Sequence, residues 1–449
     1  MTTASILASH ALSIRASKLP GDVVDRARQL LLDQLGCMIA GGVTPQGRML
    51  SDYLERTEAP GASTVFGQRS KLGPAAAAHA NAHCVSILSL DDSVIRFGHP
   101  GASIIPAALA DAEARDATLA ELLQAVIAGY EVSLRIGQSL VGTTEREALV
   151  KGNATWQIFG SVAALANLRA MEPPAAADAF AIAAIHAPVP FIRKFHSRPM
   201  NWLKNNYGWA CRGGVTACDL AEAGFHGNRA IFDGEDGFWL MAGSDRNDPS
   251  AFSKGFGSRF LTREVGFKPY GVCRWIHTTV DCIRELIAAH RLTPDDIAAI
   301  RVETVGEFAR DFAGPWPRDT LEAVFHIPYA VALELFGRSS EAGLDPAHLA
   351  DRDMEAFGAR IAVSTLPGAD ELFYGEGKLP ARVGVTLTDG SEIIAGADVP
   401  RGHPEGPAYG IDATRAKVVA LAAPIIGDTR VEALIEAVAG DTALLIHPH

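Results

Sequence analysis

The sequence predicts a mainly α-helical fold: a large all-helical domain over residues 1–265, to which 405–449 return, and a smaller α+β domain over 266–404. Three observations predict it. Ala- and Leu-rich segments with apolar residues at three- and four-residue spacing follow one another to about residue 223. Period-two segments begin only after about residue 265. At 449 residues and 48% hydrophobic composition, the chain is also long enough for more than one core.

The first confident helix is PGDVVDRARQLLLDQLGCMIAGG. Pro20 and Asp22 mark its start, Val24, Ala27, Leu31 and Leu35 form its apolar stripe, and Gly41-Gly42 supply the stop. Helical segments follow at about 74–90, 103–114, 118–139, 155–170, 175–186 and 207–223, many joined by Gly, Pro or Asn. Their small residues predict closely packed helices, and no fixed period suggests a solenoid. The β-patterned runs are Ile297–Val305, Ile361–Leu366 and Ala381–Ile394, the last with Asp389-Gly390 as a hairpin turn. Helices near 276–291 and 320–336 interleave with them, and a last helical stretch starts at about 411.

Composition excludes several classes. The 40 basic and 52 acidic residues give a formal charge of −12, which argues against a nucleic-acid surface. Asn167 and Arg169 break the Ala-rich run from Val162, and no apolar run reaches the roughly 18 residues of a membrane span. Arg15 and Lys18 follow the first apolar stretch instead of preceding it, unlike an export signal, so a cytoplasmic location is expected. Cys37, Cys84, Cys211, Cys218, Cys273 and Cys282 include no Cys-x-x-Cys pair; reduced thiols in or near the core are expected, not a zinc ribbon or disulfide framework.

Four segments gather ionisable residues near Gly or Pro, where loops carry function. LDDSVIRFGHPG holds Asp91, Asp92, Ser93, Arg96 and His99. A metal reading of this set is weak without further ligands, and either Asp is as well explained as a helix cap. His99, on a turn between Gly98 and Pro100, has the intrinsic pKa of a general acid or base. FIRKFHSRPMNWLKNNYGWACRGG clusters Arg193, Lys194, His196, Arg198, Lys204 and Arg212, which suits a small polyanion or else forms a solvated charged loop. FKPYGVCRWIHTTVD brings Lys268, Tyr270 and Arg274 together with His277 and Asp281, whose four-residue spacing suggests a mutual pair. LEAVFHIPYAVALELF places His326 and Tyr329 at the start of an apolar helix, where a buried, hydrogen-bonded Tyr is the plain alternative.

These segments, with LLDQLGCMIAGG before them and VTLTDG and VPRGHPEGP after them, stand in the order seen in the MmgE/PrpD family, which the chain resembles over nearly its whole length. The run from Lys268 to Asp281 is the most specific piece. That family includes 2-methylcitrate dehydratase, cis-aconitate decarboxylase and iminodisuccinate epimerase. The resemblance implies an active site between the two domains, a homodimer and no metal or organic cofactor. It implies catalytic roles for His99, Lys268, Tyr329 and Lys204, although the spacing from Lys204 to Gly208 is one residue short of the family's pattern. Ser93 stands where the family often has Thr. Ser89 and Lys151 replace an Asp and a His, which would make the pocket about two charges more positive.

The chemistry so implied is proton transfer α to a carboxylate. It needs a base on the carbon and fixed cations on the carboxylate oxygens. His99 would move the proton, Tyr329 would serve the leaving group, and Lys268, Lys204, Lys151 and Arg274 would hold a small anionic carboxylate, with Ser89 and Ser93 lining the site. Dehydration is the favoured outcome, with decarboxylation or epimerisation as alternatives on the same site plan. A family member that has lost catalysis is the rival reading, and a metal-dependent hydrolase is a more distant one.

Overall fold

The computed structural model describes residues 1–69 and 71–440. Its first part is helical: α1 (Thr3–Ala16), α2 (Gly21–Gly42), α3 (Pro45–Thr57), α4 (Pro74–Ile87), α5 (Gly101–Ala114), α6 (Leu119–Ser139), the short α7 (Thr144–Glu147), α8 (Asn153–Leu168), α9 (Pro173–His186) and α10 (Tyr207–Glu222). Local chemistry sets the ends. Thr118 and Glu121 form a reciprocal capping box at the start of α6, and Pro stands in the first turn of α3, α4 and α9. Small residues let the helices approach: a Cβ on Gly129 of α6 would lie 3.0 Å from the carbonyl oxygen of Gly160 in α8. Two ribbons interrupt this region, β1 (Pro60–Thr64) with β2 (Lys71–Leu72), and β3 (Val150–Lys151) with β4 (Phe191–Ile192).

Beyond the short α11 (Phe238–Met241), the chain enters α12 (His277–His290), β5 (Ile297–Thr304), α13 (Gly306–Asp311), α14 (Thr320–Val324) and α15 (Ile327–Leu335). It continues through α16 (Arg352–Gly358), β6 (Ile361–Thr365), α17 (Ala369–Glu376), β7 (Ala381–Leu387) and β8 (Glu392–Ala397). The sheet has the order β6-β5-β7-β8, with β6 parallel to β5 and the other neighbours antiparallel. The β7–β8 hairpin turns at Asp389-Gly390, where Gly390 has φ +86° and the Asp389 carboxylate accepts from the Ser391 amide. The single helix expected over 320–336 is two, because His326 starts α15 afresh: its Nδ1 accepts from the Tyr329 amide and Pro328 occupies the first turn.

Two apolar cores result. One is built from the helical segments before Phe267 together with Tyr409, Val418, Leu421, Val431 and Val438 of the returning chain. The other runs from Tyr270 to Ala395 and receives Ile95, a residue of the His99 loop. The helix α18 (Ile411–Ile426) packs on α2 and is followed by α19 (Asp428–Ala439), and 441–449 lie outside the described residues. All six cysteines are free thiols, and only Cys273 is more than slightly accessible. No helix among the described residues is long and apolar enough to cross a membrane.

Candidate active site

The His99 loop is clamped across the join between the two cores. Ser93 and Gly266 exchange both backbone hydrogen bonds, at 2.9 and 2.8 Å, as an isolated antiparallel bridge. Two residues outward on each side, Asp91 and Lys268 face one another on the same side of that bridge, as antiparallel register requires. The Lys268 ammonium lies 2.9 Å from Asp91 Oδ1 and 3.2 Å from the Ser89 hydroxyl. Lys268 and Asp91 are both fully buried.

His99 completes this group. Its Nδ1 lies 2.7 Å from the Asp92 carbonyl oxygen and 3.3 Å from Asp91 Oδ2. The Asp92 carbonyl oxygen can only accept, so the proton sits on Nδ1 with the Asp91 carboxylate as its ionic neighbour, which leaves Nε2 unprotonated toward the cavity. Burial, reinforced by the Lys268 and Lys204 charges, outweighs the pull of Asp91 and lowers the His99 pKa to about 3. For Asp91, burial alone would raise the pKa, but the neighbouring His99, Lys268 and Lys204 charges prevail and hold it below the usual carboxylate value. Asp92 does something else. It accepts from the Tyr130 hydroxyl at 2.6 Å and from the Gly101 amide at 3.2 Å, and burial raises its pKa to about 8. It therefore fixes the start of α5, where any side chain at position 101 would collide with the Asp92 carboxylate and the Tyr130 hydroxyl.

A cavity of about 120 Å³ opens beside this group. Ser89, Ser93, His99, Lys151, Lys204 and Arg274 line it. Lys204 arrives on a backbone of three consecutive left-handed residues, with φ +26°, +50° and +61° at Lys204, Asn205 and Asn206. Such strain is characteristic of functional sites. The ammonium donates to the Ser86 carbonyl oxygen, and burial lowers its pKa to about 7. Arg274 donates through Nη1 to the carbonyl oxygens of Phe267 and Arg401, at 2.9 and 3.2 Å. Its Nε and Nη2 are buried with no acceptor among the described residues, which leaves one edge of the guanidinium available to a carboxylate. Burial lowers its pKa to about 10, and the group stays cationic near neutrality.

Two residues expected in the site are placed differently. Lys268 does not line the cavity; it stands one side chain behind, under Asp91 and Ser89. Tyr329 is fully buried in the second core, with its ring 5.2 Å from that of Trp316 and its hydroxyl unpartnered, and it does not line the cavity either. The extra charge expected from Lys151 is matched: Glu307 Oε2 lies 3.2 Å from its ammonium. His277 and Asp281 do not pair. The Asp281 carboxylate accepts from the Tyr270 hydroxyl at 2.6 Å and the Arg401 amide at 2.7 Å, while His277 turns inward to the Val272 carbonyl oxygen.

The basic segment 193–212 is also dispersed. Arg198 reaches the carbonyl oxygens of Pro315 and Trp316, Arg212 pairs with Glu58 at 2.7 Å, and the side chains of Arg193 and His196 lie outside the described residues. Among the described residues, no group of three or more His, Cys, Asp or Glu side chains is arranged to hold a metal ion.

Sequence reasoning left Asp91 between a cap and a weak metal ligand, and it did not single out Asp33 or Lys417. Those two form a buried pair at 2.7 Å, from α2 and α18, and Lys417 also holds the Leu90 carbonyl oxygen next to Asp91. No local motif signals a pair separated by 384 positions.

Comparison with known proteins agrees with this architecture. The MmgE/PrpD N-terminal domain matches residues 5–249 and the MmgE/PrpD C-terminal domain matches 270–441. Similar chains include the cis-aconitate decarboxylase-like protein oryM of Aspergillus oryzae, 24% identical over 95% of this chain and 92% of its own length. The human cis-aconitate decarboxylase is 26% identical over 90% of this chain and 85% of its own length. That of Aspergillus terreus is 27% identical over 62% of this chain and 58% of its own. With both domain matches in sequence order and together spanning most of its length, the chain belongs to the MmgE/PrpD family.

Proposed function

We propose that the protein is a cofactor-independent lyase that moves a proton at the carbon α to a carboxylate of a small acid, with dehydration as the first reading. The observation that carries this is His99: a neutral imidazole with Nδ1 fixed by the Asp92 carbonyl oxygen beside the Asp91 carboxylate, and Nε2 facing a cavity bordered by cations. In this reading Nε2 takes the α-proton, and the electron pair passes into the carboxylate as an enediolate-like dianion. Arg274 and Lys204 hold its oxygens. The dianion expels a β-hydroxide, which leaves as water with a proton from Lys204, whose pKa of about 7 suits a general acid. His99 returns its proton to Lys204 through solvent. Lys268 and Asp91 act from behind by holding His99 and Ser89 in place.

Decarboxylation is the second reading, favoured by the names of the relatives. There the carbon–carboxylate bond breaks, carbon dioxide departs, and the carbanion takes its proton from Lys204. The protein is further proposed to act as a homodimer, because Ile185, Val189, Ile192, Trp202, Leu203 and Trp209 leave an exposed apolar stretch of chain. Sedimentation at micromolar concentration tests this, and a monomer there would refute it.

The deciding experiment incubates the full chain, with a chelator present, with 2-methylcitrate, citrate, cis-aconitate and iminodisuccinate. Loss of water, loss of carbon dioxide and change of configuration are distinguished by mass spectrometry and chiral chromatography. Turnover that survives the chelator and vanishes in His99→Ala supports the reading. Turnover retained in that variant would refute it.

A further inference from the structure

His99, Lys204 and Arg274 line the cavity together with the uncharged Ser89 and Ser93. Around Lys151 the lining is aromatic: Trp275 and Phe191 lie beside it, Phe373 packs against Trp275, and Trp156 lines the same cavity. Lys151 is held there by its place in the β3–β4 ribbon opposite Phe191, and its ammonium lies 5.3 Å from the centre of the Trp275 ring. This cation does not face the cavity alone. Glu307, in the first turn of α13, brings Oε2 to 3.2 Å from the Lys151 ammonium and takes a second hydrogen bond, at 2.7 Å, from the Tyr374 hydroxyl.

Both partners are largely shielded, at 18% and 11% exposure, so their mutual field is weakly screened by water. The other charges of this rim are also committed. Arg96 pairs with Glu147 at 2.7 Å and donates to the Tyr374 carbonyl oxygen, and Arg146 is solvent-exposed and bonded to the Gly243 carbonyl oxygen.

We infer that Glu307 is a specificity-determining residue: by neutralising Lys151 it makes the aromatic part of the cavity around that lysine select an acid whose distal group is uncharged and apolar. This rests on the carboxylate-binding reading above and narrows it. A substrate carboxylate directed at Lys151 would meet a like charge just behind its intended partner and would lose its hydration against aromatic walls. An apolar substituent meets neither cost. The Lys151 stem and the four rings offer it a surface that excludes water.

The test compares two inert acids that differ only at that end. Tricarballylate carries a third carboxylate where its near-isostere 2-isobutylsuccinate carries a branched alkyl group. Calorimetric binding at fixed ionic strength is expected to give the wild-type chain at least a tenfold preference for isobutylsuccinate. Glu307→Gln is expected to shrink that preference at least tenfold by freeing the Lys151 charge. Lys151→Gln, which leaves Glu307 without its cation, is expected to widen it. These opposite shifts cannot both follow from a loosened fold, and a melting curve is recorded for each variant.

Equal or tighter wild-type binding of tricarballylate, or a preference that Glu307→Gln leaves unchanged, would overturn the assignment while leaving the carboxylate reading intact. Failure of the folded wild-type chain to bind either acid would remove the carboxylate reading and this inference with it.

Discussion

Replacing Asp91 by Asn removes one charge and almost no volume from the most enclosed part of the site. The Lys268 ammonium, 2.9 Å from Asp91 Oδ1, loses that carboxylate and keeps the Ser89 hydroxyl at 3.2 Å. At an effective dielectric constant near 20, the gross attraction at this distance is about 6 kcal/mol. Desolvation of the two ions offsets part of it, so breaking the pair is expected to destabilise the fold by about 3–5 kcal/mol, the range for an orphaned buried charge. Urea unfolding measures this. Activity should fall further than stability suggests, because Asp91 Oδ2 also lies 3.3 Å from His99 Nδ1 and its charge helps hold the imidazole. A drop of about 10²–10⁴ in kcat is expected from a misplaced general base. The double variant Asp91→Asn/Lys268→Met separates the effects. With both buried charges gone, about 2–3 kcal/mol of stability should return, while activity should not. A folded Asp91→Asn protein that turns over substrate within threefold of wild type, or a double variant that recovers activity, would refute the role given to Asp91.

Three further outcomes are expected. Lys204 titrates near pH 7 in the free protein, so kcat/KM should fall as pH rises through that value and the ammonium is lost; in Lys204→Arg the alkaline limb should disappear while kcat drops, as a pH–rate profile would reveal. The buried imidazoles of His79, His83 and His99 have folded-state pKa values of about 4, 4 and 3, below the unfolded value of 6.5. Their contribution to stability is therefore complete above about pH 6.5 and is lost as pH falls toward 4, where the unfolded chain binds more protons; melting temperatures across that interval should decline steadily. Lys417→Met should cost about 3–5 kcal/mol by stranding Asp33, and Asp33→Asn/Lys417→Met should recover much of it, measured by urea unfolding.

The sequence makes the helical region and the late sheet legible because both rest on short-range periodicity: the stripe of α2 and the alternation in β7 and β8 are each complete within one segment. It is silent where a side chain answers to a distant one. The segment around His326 reads as the middle of a helix until Pro328 and the inward Nδ1 of His326 restart the turn. Tyr329 then points into the second core instead of the cavity, on a helix whose sequence is apolar throughout its first turns. Lys151 reads as an added positive charge because nothing near position 151 announces Glu307, 156 residues later.

The Asp91–Lys268 pair shows what sequence reasoning lacked. Each residue was visible, in LDDS and in FKPY, but their partnership depends on one backbone bridge between Ser93 and Gly266. Once that bridge is given, antiparallel register puts 91 opposite 268, and a one-residue slip would turn the lysine to the other face. The site is therefore specified by a register more than by a motif. The anchoring of the same loop supports this: Lys417 holds the Leu90 carbonyl oxygen from one side, and Ile95 is buried in the second core on the other. A substitution that disturbs either anchor should weaken catalysis without touching a cavity-lining residue, because what it displaces is the alignment of Asp91 with both Lys268 and His99.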